Sequence, residues 1–216
     1  MSADESPTIF IVDDDKGVTA ALTRLVRTAG YNVESYSAVQ EFLEQYRAEV
    51  PGCIILDVAL GDWNGLDVQR RLNVQGWKHP IIFISGESEL YTSVQAMKAG
   101  AVDFLVKPVD ADNLFQAIHT ALEKDLVARS ELRERTRIRQ HLAQLTPREY
   151  EVLSLVVRGK LNKQIAYELG IVEKTAKVHR GRVMNKMGAR NLAELVRMAE
   201  QSGIVPTMVK KIPELH

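Results

Sequence analysis

Six side chains capable of chemistry each end or follow a short apolar run in the first half of the chain. They are three consecutive carboxylates, a fourth carboxylate further on, a hydroxyl and an ammonium: Asp13, Asp14, Asp15, Asp57, Ser85 and Lys107. If the runs are parallel strands, their carboxyl ends meet at one sheet edge, where ligand sites form. Crowded carboxylates repel one another, and a hard cation such as Mg²⁺, which takes carboxylate and phosphate oxygens, removes that repulsion.

A neutralised group of this kind favours phosphoryl transfer. One carboxylate can attack phosphorus and become an aspartyl phosphate, while a lysine and a hydroxyl stabilise the oxygens of the transferred group. Taken singly, each residue has a simpler interpretation. The three consecutive acids favour a helix start through the helix dipole, Asp57 fits a turn, Ser85 a helix cap, and Lys107 a surface charge.

The elements that must position these side chains alternate between strands and helices. The predicted strands are Thr8–Val12, Tyr31–Ser35, Cys53–Leu56, Ile81–Ile84 and Phe104–Val106, each followed by apolar residues at helical spacing. Ser37, with Gln40 three residues later, predicts the start of the second helix. Five such units predict an α/β fold with a doubly wound, five-stranded parallel sheet.

The second half of the chain contains no convincing strand and is predicted to be all-α. Residues 126–141 lack Gly and Pro, and they predict a helical linker that continues the fifth helix. Four helices follow, beginning at a capping box on Thr146, at Asn162 as a cap, near Glu173, and at Asn191. The predicted domains are therefore 1–125 and 142–205, joined by the linker and followed by a loose tail over 206–216.

Composition excludes several classes of protein. The 216 residues are 45% hydrophobic and 26% charged, which argues against a disordered, collagenous or membrane protein. The single cysteine, Cys53, excludes an internal disulfide and suits a reducing compartment. The polar, acidic N-terminus does not resemble a secretion signal. We therefore expect a cytoplasmic protein.

The formal net charge of zero hides an asymmetry between the two halves. Residues 1–125 hold 19 acidic and 10 basic side chains, whereas residues 126–216 hold 9 acidic and 18 basic ones. The net charge thus changes from −9 to +9 along the chain. This pattern indicates an acidic module joined to a module that binds a polyanion.

Two short helices separated by Gly170–Val172 have the layout of a helix-turn-helix, whose second helix enters the major groove of DNA. Val183 and Met187 are predicted to face the helix bundle. Four cations are predicted to face solvent, where they can neutralise phosphates: Lys174, Lys177, Arg180 and Arg182. The alternative is a protein-binding bundle with a solvated basic face.

Residues 7–125 resemble the receiver domain of two-component response regulators. The matching motifs are Val12-Asp13-Asp14-Asp15, Ile55-Leu56-Asp57, Ile84-Ser85-Gly86 and Asp103-Phe104-Leu105-Val106-Lys107-Pro108. The resemblance implies a flavodoxin-like fold and phosphorylation of Asp57 by a sensor histidine kinase. It also implies Mg²⁺ held by Asp13, Asp14, Asp57 and the carbonyl of Ala59, phosphoryl contacts from Ser85 and Lys107, inward rotation of Phe104, and a cis Lys107–Pro108 bond.

One segment departs from the receiver pattern. After the phosphoacceptor the family usually reads Arg-Met-Pro-Gly, whereas this chain has Ala59-Leu60-Gly61-Asp62-Trp63-Asn64-Gly65. Because Ala59 would contribute only its carbonyl, metal binding is expected to survive the change. The additional acid and the large aromatic side chain are expected to affect the lifetime of the phosphorylated state or the choice of kinase.

The second half resembles the LuxR-type helix-turn-helix, and the chain as a whole is similar to response regulators of the NarL/FixJ class. The matching segments are Leu145-Thr146-Pro147-Arg148-Glu149, Asn162-Lys163-Gln164-Ile165-Ala166 and Lys174-Thr175-Ala176-Lys177-Val178-His179. The resemblance implies that Lys177 and Val178 approach base edges. It implies phosphate contacts for Lys163, Gln164, Lys174, Thr175, His179 and Arg182. The departures are Val172, where the family has a capping Ser or Thr, and Gly181 inside the helix.

The resemblance implies a transcription factor switched by phosphorylation rather than an enzyme. Its implied partners are paired DNA half-sites, a sensor histidine kinase, RNA polymerase and, after phosphorylation, a second copy of the chain. Two alternatives remain open at this point. One is a DNA-binding regulator that ignores phosphorylation, and the other is a Mg²⁺-dependent phosphohydrolase of similar fold.

Overall fold

A computed structural model describes residues 6–86 and 90–204, with Leu90 described by its backbone alone. The chain divides into two compact units, Met1–Arg129 and Ser130–His216. The predicted loose tail over 206–216 and most of the polar N-terminus lie outside the described residues. Within the described residues, no helix is long and apolar enough to cross a membrane.

The first unit contains seven strands among its described residues. In chain order they are β1 (Thr8–Val12), β2 (Asn32–Tyr36), β3 (Gly52–Asp57), β4 (Ala59–Leu60), β5 (Trp63–Asn64), β6 (Ile81–Ser85) and β7 (Asp103–Val106). Five of them form a parallel sheet in the order β2-β1-β3-β6-β7. The predicted doubly wound, five-stranded sheet is confirmed. The central strands are fully buried because their apolar runs are covered on both faces.

Helices cover both faces of this sheet. They are α1 (Lys16–Thr28), α2 (Val39–Gln45), α3 (Gly65–Val74), α4 (Leu90–Lys98) and α5 (Ala111–Ala143). One core cluster includes Phe10, Phe42 and Phe83, and a second cluster on other residues of the same strands includes Ile11 and Leu114. Alternate residues of a strand point to opposite faces, so each strand contributes to both clusters.

The predicted start of α2 is wrong. The residue that caps this helix is Ala38, which makes no side-chain hydrogen bond, and Ser37 lies outside the helix. The capping pattern of Ser37 and Gln40 was therefore a coincidence of spacing. The helix is held instead by burial of Val39 and Phe42 in the core.

A small hairpin, absent from the sequence prediction, follows the third strand. β4 and β5 pair antiparallel, and the chain then turns back at Gly65 to begin α3. The N–H of Gly65 donates to the carbonyl of Val58 at 2.8 Å. A Cβ at Gly65 would lie 2.3 Å from the carbonyl oxygen of Asp57, so only glycine permits this close approach.

The fifth helix is one continuous element of 33 residues, Ala111–Ala143. It includes the whole of the predicted linker over 126–141, which is therefore helical as expected. The boundary between the two compact units falls at Arg129 and Ser130 within this helix. Further along the same helix, Ile138 is buried in the core of the second unit.

The second unit is helical throughout its described residues. After the end of α5 come α6 (Pro147–Val157), α7 (Asn162–Leu169), α8 (Glu173–Met187) and α9 (Leu192–Gln201). Thr146 and Glu149 form the predicted capping box, and Asn191 caps α9 as expected. The predicted cap at Asn162 is wrong because the capping residue is Leu161, whose N–H is bonded by the side chain of Gln164.

Candidate functional site

The predicted acidic residues meet at the carboxyl edge of the sheet. Asp13 and Asp57 are buried, and Lys107 Nζ lies 2.7 Å from Asp13 Oδ2 and 2.7 Å from Asp57 Oδ2. One carboxylate oxygen from each of Asp13, Asp14 and Asp57 lies within 4.8 Å of the others. Three carboxylates and one ammonium group thus share a single pocket, which we call the acidic pocket.

The register of the parallel strands brings these side chains together. Val12 pairs with Leu56, and Asp57 pairs with Ile84, so β1, β3 and β6 end at the same level. The N–H of Lys107 donates to the carbonyl of Ser85 at 2.7 Å, which places Lys107 beside the end of β6. Residues distant in the sequence therefore converge because they follow neighbouring strands.

The three consecutive acids have different surroundings. Asp15 is the N-cap of α1, and its side chain accepts from the N–H groups of Gly17 and Val18. Asp13 instead points into the acidic pocket, where its second oxygen accepts from the N–H of Asp15 at 2.9 Å. The helix-start interpretation is therefore right for Asp15, whereas Asp13 and Asp14 belong to the acidic pocket.

Burial and the neighbouring charges shift the pKa values of the groups in the acidic pocket in opposite directions. Burial raises the pKa of the Asp13 carboxyl, and the nearby Asp57 adds to this, although the hydrogen bond from Lys107 works against it. Burial alone would lower the pKa of Lys107. The hydrogen bonds and charges of Asp13 and Asp57 outweigh burial and raise the pKa of Lys107, so the ammonium stays protonated.

The donor set of the acidic pocket fits a hard divalent cation. Asp13, Asp14 and Asp57 offer carboxylate oxygens, the ligand type that Mg²⁺ prefers. One ammonium leaves the charge of the three carboxylates only partly compensated. The N–H of Ala59 donates to Asp57 Oδ1 at 3.3 Å, which brings its backbone to the acidic pocket. The carbonyl of Ala59 as a fourth ligand stays a prediction.

Ser85, the predicted phosphoryl contact, ends β6, the strand next to that of Asp57, and Phe104, the predicted switch aromatic, lies one strand further on, on β7. Ser85 is buried at the end of β6. Phe104 is half-buried on β7 opposite Phe83, and their ring centroids are 6.4 Å apart. The phosphoryl contact of Ser85 and the rotation of Phe104 stay predictions. The Lys107–Pro108 peptide bond is cis, as expected.

The segment that departs from the receiver pattern lines a groove next to the acidic pocket. This groove, of about 550 Å³, is formed in part by Asp62, Trp63 and Ser85. The guanidinium of Arg71 lies 5.9 Å from the centre of the Trp63 ring, which contributes to fixing the indole. An acid and an aromatic side chain therefore border the approach to Ser85.

The predicted DNA-binding residues lie on α7 and the first part of α8. Six of the eight are exposed: Lys163, Gln164, Lys174, Lys177, Val178 and Arg182. Thr175 and His179 are half-buried, and His179 Nδ1 is enclosed without a hydrogen-bond partner among the described residues. Ala176, Val183 and Met187 are buried on the opposite side of α8. The helix thus presents one apolar face to the core and one cationic face to solvent.

The expectation that Arg180 faces solvent with the other cations of α8 is corrected by the structure. It is half-buried rather than fully exposed, and its guanidinium donates to Asn162 Oδ1 at 3.4 Å. Arg180 therefore links α8 to the start of α7. Val172 caps α8 without a side-chain hydrogen bond, as its residue type predicts.

An ion pair between a buried carboxylate and a half-buried lysine in the second unit could not be predicted from the sequence. Glu149 accepts from Lys186 Nζ at 2.6 Å and from the N–H of Thr146 at 2.9 Å. These hydrogen bonds lower the pKa of Glu149 to about 2. The pair joins the start of α6 to the end of α8, 37 residues away, and no local pattern reveals it.

Comparison with known proteins gives a consistent relationship across both units. A model of the response regulator receiver domain matches residues 9–119, and a model of the luxR family of bacterial regulatory proteins matches residues 143–199. The response regulator TodT of Pseudomonas putida is 43% identical over 199 residues, covering 92% of this chain and 88% of TodT. The transcriptional regulator FixJ of Azorhizobium caulinodans is 37% identical over 205 residues, covering 94% and 96%. The solved structure of response regulator StyR matches with a TM-score of 0.84 at 41% identity, covering 91% and 100%.

Proposed function

This chain belongs to the response regulators of the NarL/FixJ class, and from that premise we propose that phosphorylation of Asp57 controls its binding to DNA. The chain carries a receiver domain and a LuxR-type DNA-binding domain. Its relatives TodT and FixJ are named as a response regulator and a transcriptional regulator. Membership of this family therefore implies two partners, a sensor histidine kinase and DNA.

The contact that carries the proposal is the one between Lys107 and two buried carboxylates. Lys107 Nζ lies 2.7 Å from Asp57 Oδ2, so an ammonium stands beside the proposed phosphoacceptor. Asp57 shares this ammonium with Asp13, and Asp14 lies nearby, so three carboxylates are grouped around one cation. This concentration of charge favours a site for phosphate and a cation.

The proposed reaction is a transfer of a phosphoryl group between two side chains. A carboxylate oxygen of Asp57 attacks the phosphorus of a phosphohistidine on the kinase, the new O–P bond forms, and the N–P bond breaks. Asp13, Asp14 and Asp57 would hold Mg²⁺, which supplies positive charge to the phosphoryl oxygens. Lys107 and Ser85 provide an ammonium and a hydroxyl beside the same oxygens.

Phosphorylation then alters the second unit's binding to DNA. We propose that α8 enters the major groove, with Lys177 and Val178 towards base edges. The other exposed cations of α7 and α8 contact phosphates, which orient the domain without reading sequence. We further propose that the phosphorylated protein dimerises on paired half-sites, with α9 supplying a dimer face, and acts with RNA polymerase in the cytoplasm.

Mapping of the modified residue tests the first half of this proposal. We expect the protein, incubated with Mg²⁺ and phosphoramidate, to gain one acid-labile phosphoryl group, and borohydride reduction to place it on Asp57. Asp57→Asn is expected to remain unlabelled, whereas Asp112→Asn, an exposed acid at the start of α5, labels like the parent. Labelling on another residue, or continuous release of phosphate at a rate that indicates turnover, contradicts the proposal.

A further inference from the structure

The receiver holds the last turns of its α5 segment with a network of polar contacts, which we call the α5 clamp. Arg129 Nε donates to Asp125 Oδ2 at 2.7 Å, one turn earlier in the same helix. The rest of the guanidinium donates to three consecutive carbonyls between α2 and β3, at distances of 2.7 to 3.0 Å: Ala48, Glu49 and Val50. Arg129 is the last residue of the first compact unit.

The α5 clamp is also hydrogen-bonded to β3, the strand that carries the proposed phosphoacceptor. Asp125 is buried, and its Oδ2 accepts from the N–H of Gly52 at 3.0 Å. Gly52 is the first residue of β3 and Asp57 is the last. One end of this buried strand therefore carries the phosphoacceptor, and the other end is bonded to α5.

A histidine completes the α5 clamp. His79 Nε2 lies 2.8 Å from Arg129 Nη2 and 2.6 Å from the carbonyl of Val50, and His79 Nδ1 is hydrogen-bonded to the Tyr46 hydroxyl. Burial lowers the pKa of His79, and the charge of Arg129 adds to this. The hydrogen bond to the Val50 carbonyl and the charges of Asp125 and Glu49 work in the opposite direction without outweighing burial. The ring is therefore neutral at neutral pH, and no second cation competes with Arg129.

Little else attaches this part of α5 to the receiver. From Glu123 to Arg129, every side chain except Asp125 and Arg129 is exposed, including the apolar Leu126 and Val127 at 69% and 58%. Apolar packing therefore contributes little here, and directional hydrogen bonds hold the helix instead. The five donors of Arg129 form a planar fork that a lysine cannot reproduce.

We propose that Asp125 and Arg129 are positioning residues of the phosphorylation switch, because they fix α5 to the strand of Asp57 at the point where the helix leaves the receiver. This rests on the proposed function. With the α5 clamp intact, α5 is fixed to β3 up to Arg129, so a conformational change in the receiver moves the helix as a whole. Without the α5 clamp, the helix bends at its last packed turn, and the conformational change does not reach Ser130.

The test measures the ratio of DNA dissociation constants without and with beryllofluoride, for the full chain and a DNA site selected from a random pool. We expect Arg129→Gln and Asp125→Asn to reduce this ratio about fivefold or more, to a value near one, within the usual range of allosteric coupling. Labelling of Asp57 by phosphoramidate is expected to be unchanged. Arg133→Gln, one turn further on the same helix and exposed, is the matched control and keeps the parent ratio.

Hydrogen exchange separates coupling from a general loss of structure. We expect Arg129→Gln to accelerate exchange at Gly52 and over 123–129 while the amides of the other strands stay protected. If that variant does not fold, Arg129→Lys carries the same test, because it keeps the charge and loses the fork. An unchanged affinity ratio in the folded variant, or unchanged exchange, overturns the proposal. A parent ratio near one overturns the phosphorylation switch and, with it, the positioning role, whereas a failure of the variants alone leaves the switch in place.

Discussion

The acidic pocket of the receiver and the cationic face of α8 are both charged sites, but they are held in different ways. Asp13 and Asp57 are buried at the ends of neighbouring strands, and each carboxylate lies 2.7 Å from Nζ of the half-buried Lys107. Lys174, Lys177 and Arg182 stand in solvent, and no ion pair among the described residues fixes them. The fold therefore holds the groups of the acidic pocket in place, whereas it leaves the exposed cations of α8 free of ion pairs among the described residues.

This difference predicts where substitutions act. A change in the acidic pocket alters stability and chemistry together, because buried charges and backbone are in direct contact there. A change on the cationic face alters binding with little effect on stability, because exposed side chains contribute little to folding.

Gly65→Ala is expected to have the largest effect. The added Cβ would lie 2.3 Å from the Asp57 carbonyl oxygen, so the hairpin or β3 must shift. Overpacking of this kind costs about 3 kcal/mol. Urea denaturation of the full chain should show this loss in the receiver transition, together with reduced labelling of Asp57. Stability and labelling equal to those of the parent would show that the acidic pocket tolerates a shift of β3, contrary to the account of a tightly held site.

Lys177→Ala tests the other side of the comparison. We expect a loss of about 1–3 kcal/mol in affinity for the selected DNA site and relaxed preference at one base position. The denaturation midpoints should not change, because Lys177 is exposed. Arg158→Ala, an exposed cation at the end of α6, serves as the control and should keep the sequence preference. An equal loss on all DNA sequences would reassign Lys177 to a phosphate contact.

Glu149→Gln removes a buried charge from the second unit, which also carries the exposed cationic face of α8. Because Glu149 accepts from Lys186 and Thr146, and Lys186 is a third exposed, we expect a loss of about 1–2 kcal/mol in the stability of the second unit. Glu151→Gln, on the exposed side of the same helix, should cost less than about 0.5 kcal/mol. Equal effects of the two variants would remove the distinction between buried and exposed charges in this unit.

The same carboxyl predicts a pH dependence. The pKa of Glu149 is lowered from its ordinary value of 4.5 to about 2 in the folded protein. Its contribution to stability is therefore complete above pH 4.5 and is lost as the pH falls from there towards 2. The difference in unfolding free energy between the parent and Glu149→Gln should be constant from pH 7 to about pH 5 and should narrow as the pH falls from there to 3. A difference that stays constant down to pH 3 would contradict the role of the ionised carboxyl.

Gly181→Ala is expected to have the smallest effect, and in the opposite direction to Gly65→Ala. Nothing lies within 4 Å of a Cβ at this position, and the residue is inside α8. Removing the backbone freedom of glycine should stabilise the second unit by up to about 1 kcal/mol. A loss of DNA affinity with raised stability would show that the backbone at Gly181 approaches DNA closely.

The sequence predicts the parts of the molecule in which local pattern and burial agree. Asp13 and Asp57 come at the ends of buried apolar strands and Lys107 follows the edge strand β7, so the acidic pocket could be derived from strand ends. The hairpin of β4 and β5 could not, because strands of two residues show no periodicity. The caps at Ser37 and Asn162 were wrong because residue type alone does not determine which residue leaves the helical conformation.

Long-range polar contacts form the second group that the sequence does not reveal. Asp125 contacts Gly52 across 73 residues, and Arg129 contacts Ala48 across 81. In the sequence these two residues are only an ordinary i, i+4 pair on a helix. Arg180 is similar, because its contact with Asn162 depends on how α7 packs on α8.

The central claim is that the chemical state of Asp57 controls an exposed surface more than a hundred residues away in the sequence. The most direct measurement is the DNA affinity of the full chain with and without beryllofluoride in the presence of Mg²⁺, for the parent and for Asp57→Asn. We predict tighter binding on addition of beryllofluoride for the parent and no change for the variant. Equal affinities for the parent in both conditions, or the same gain in Asp57→Asn, would contradict the account.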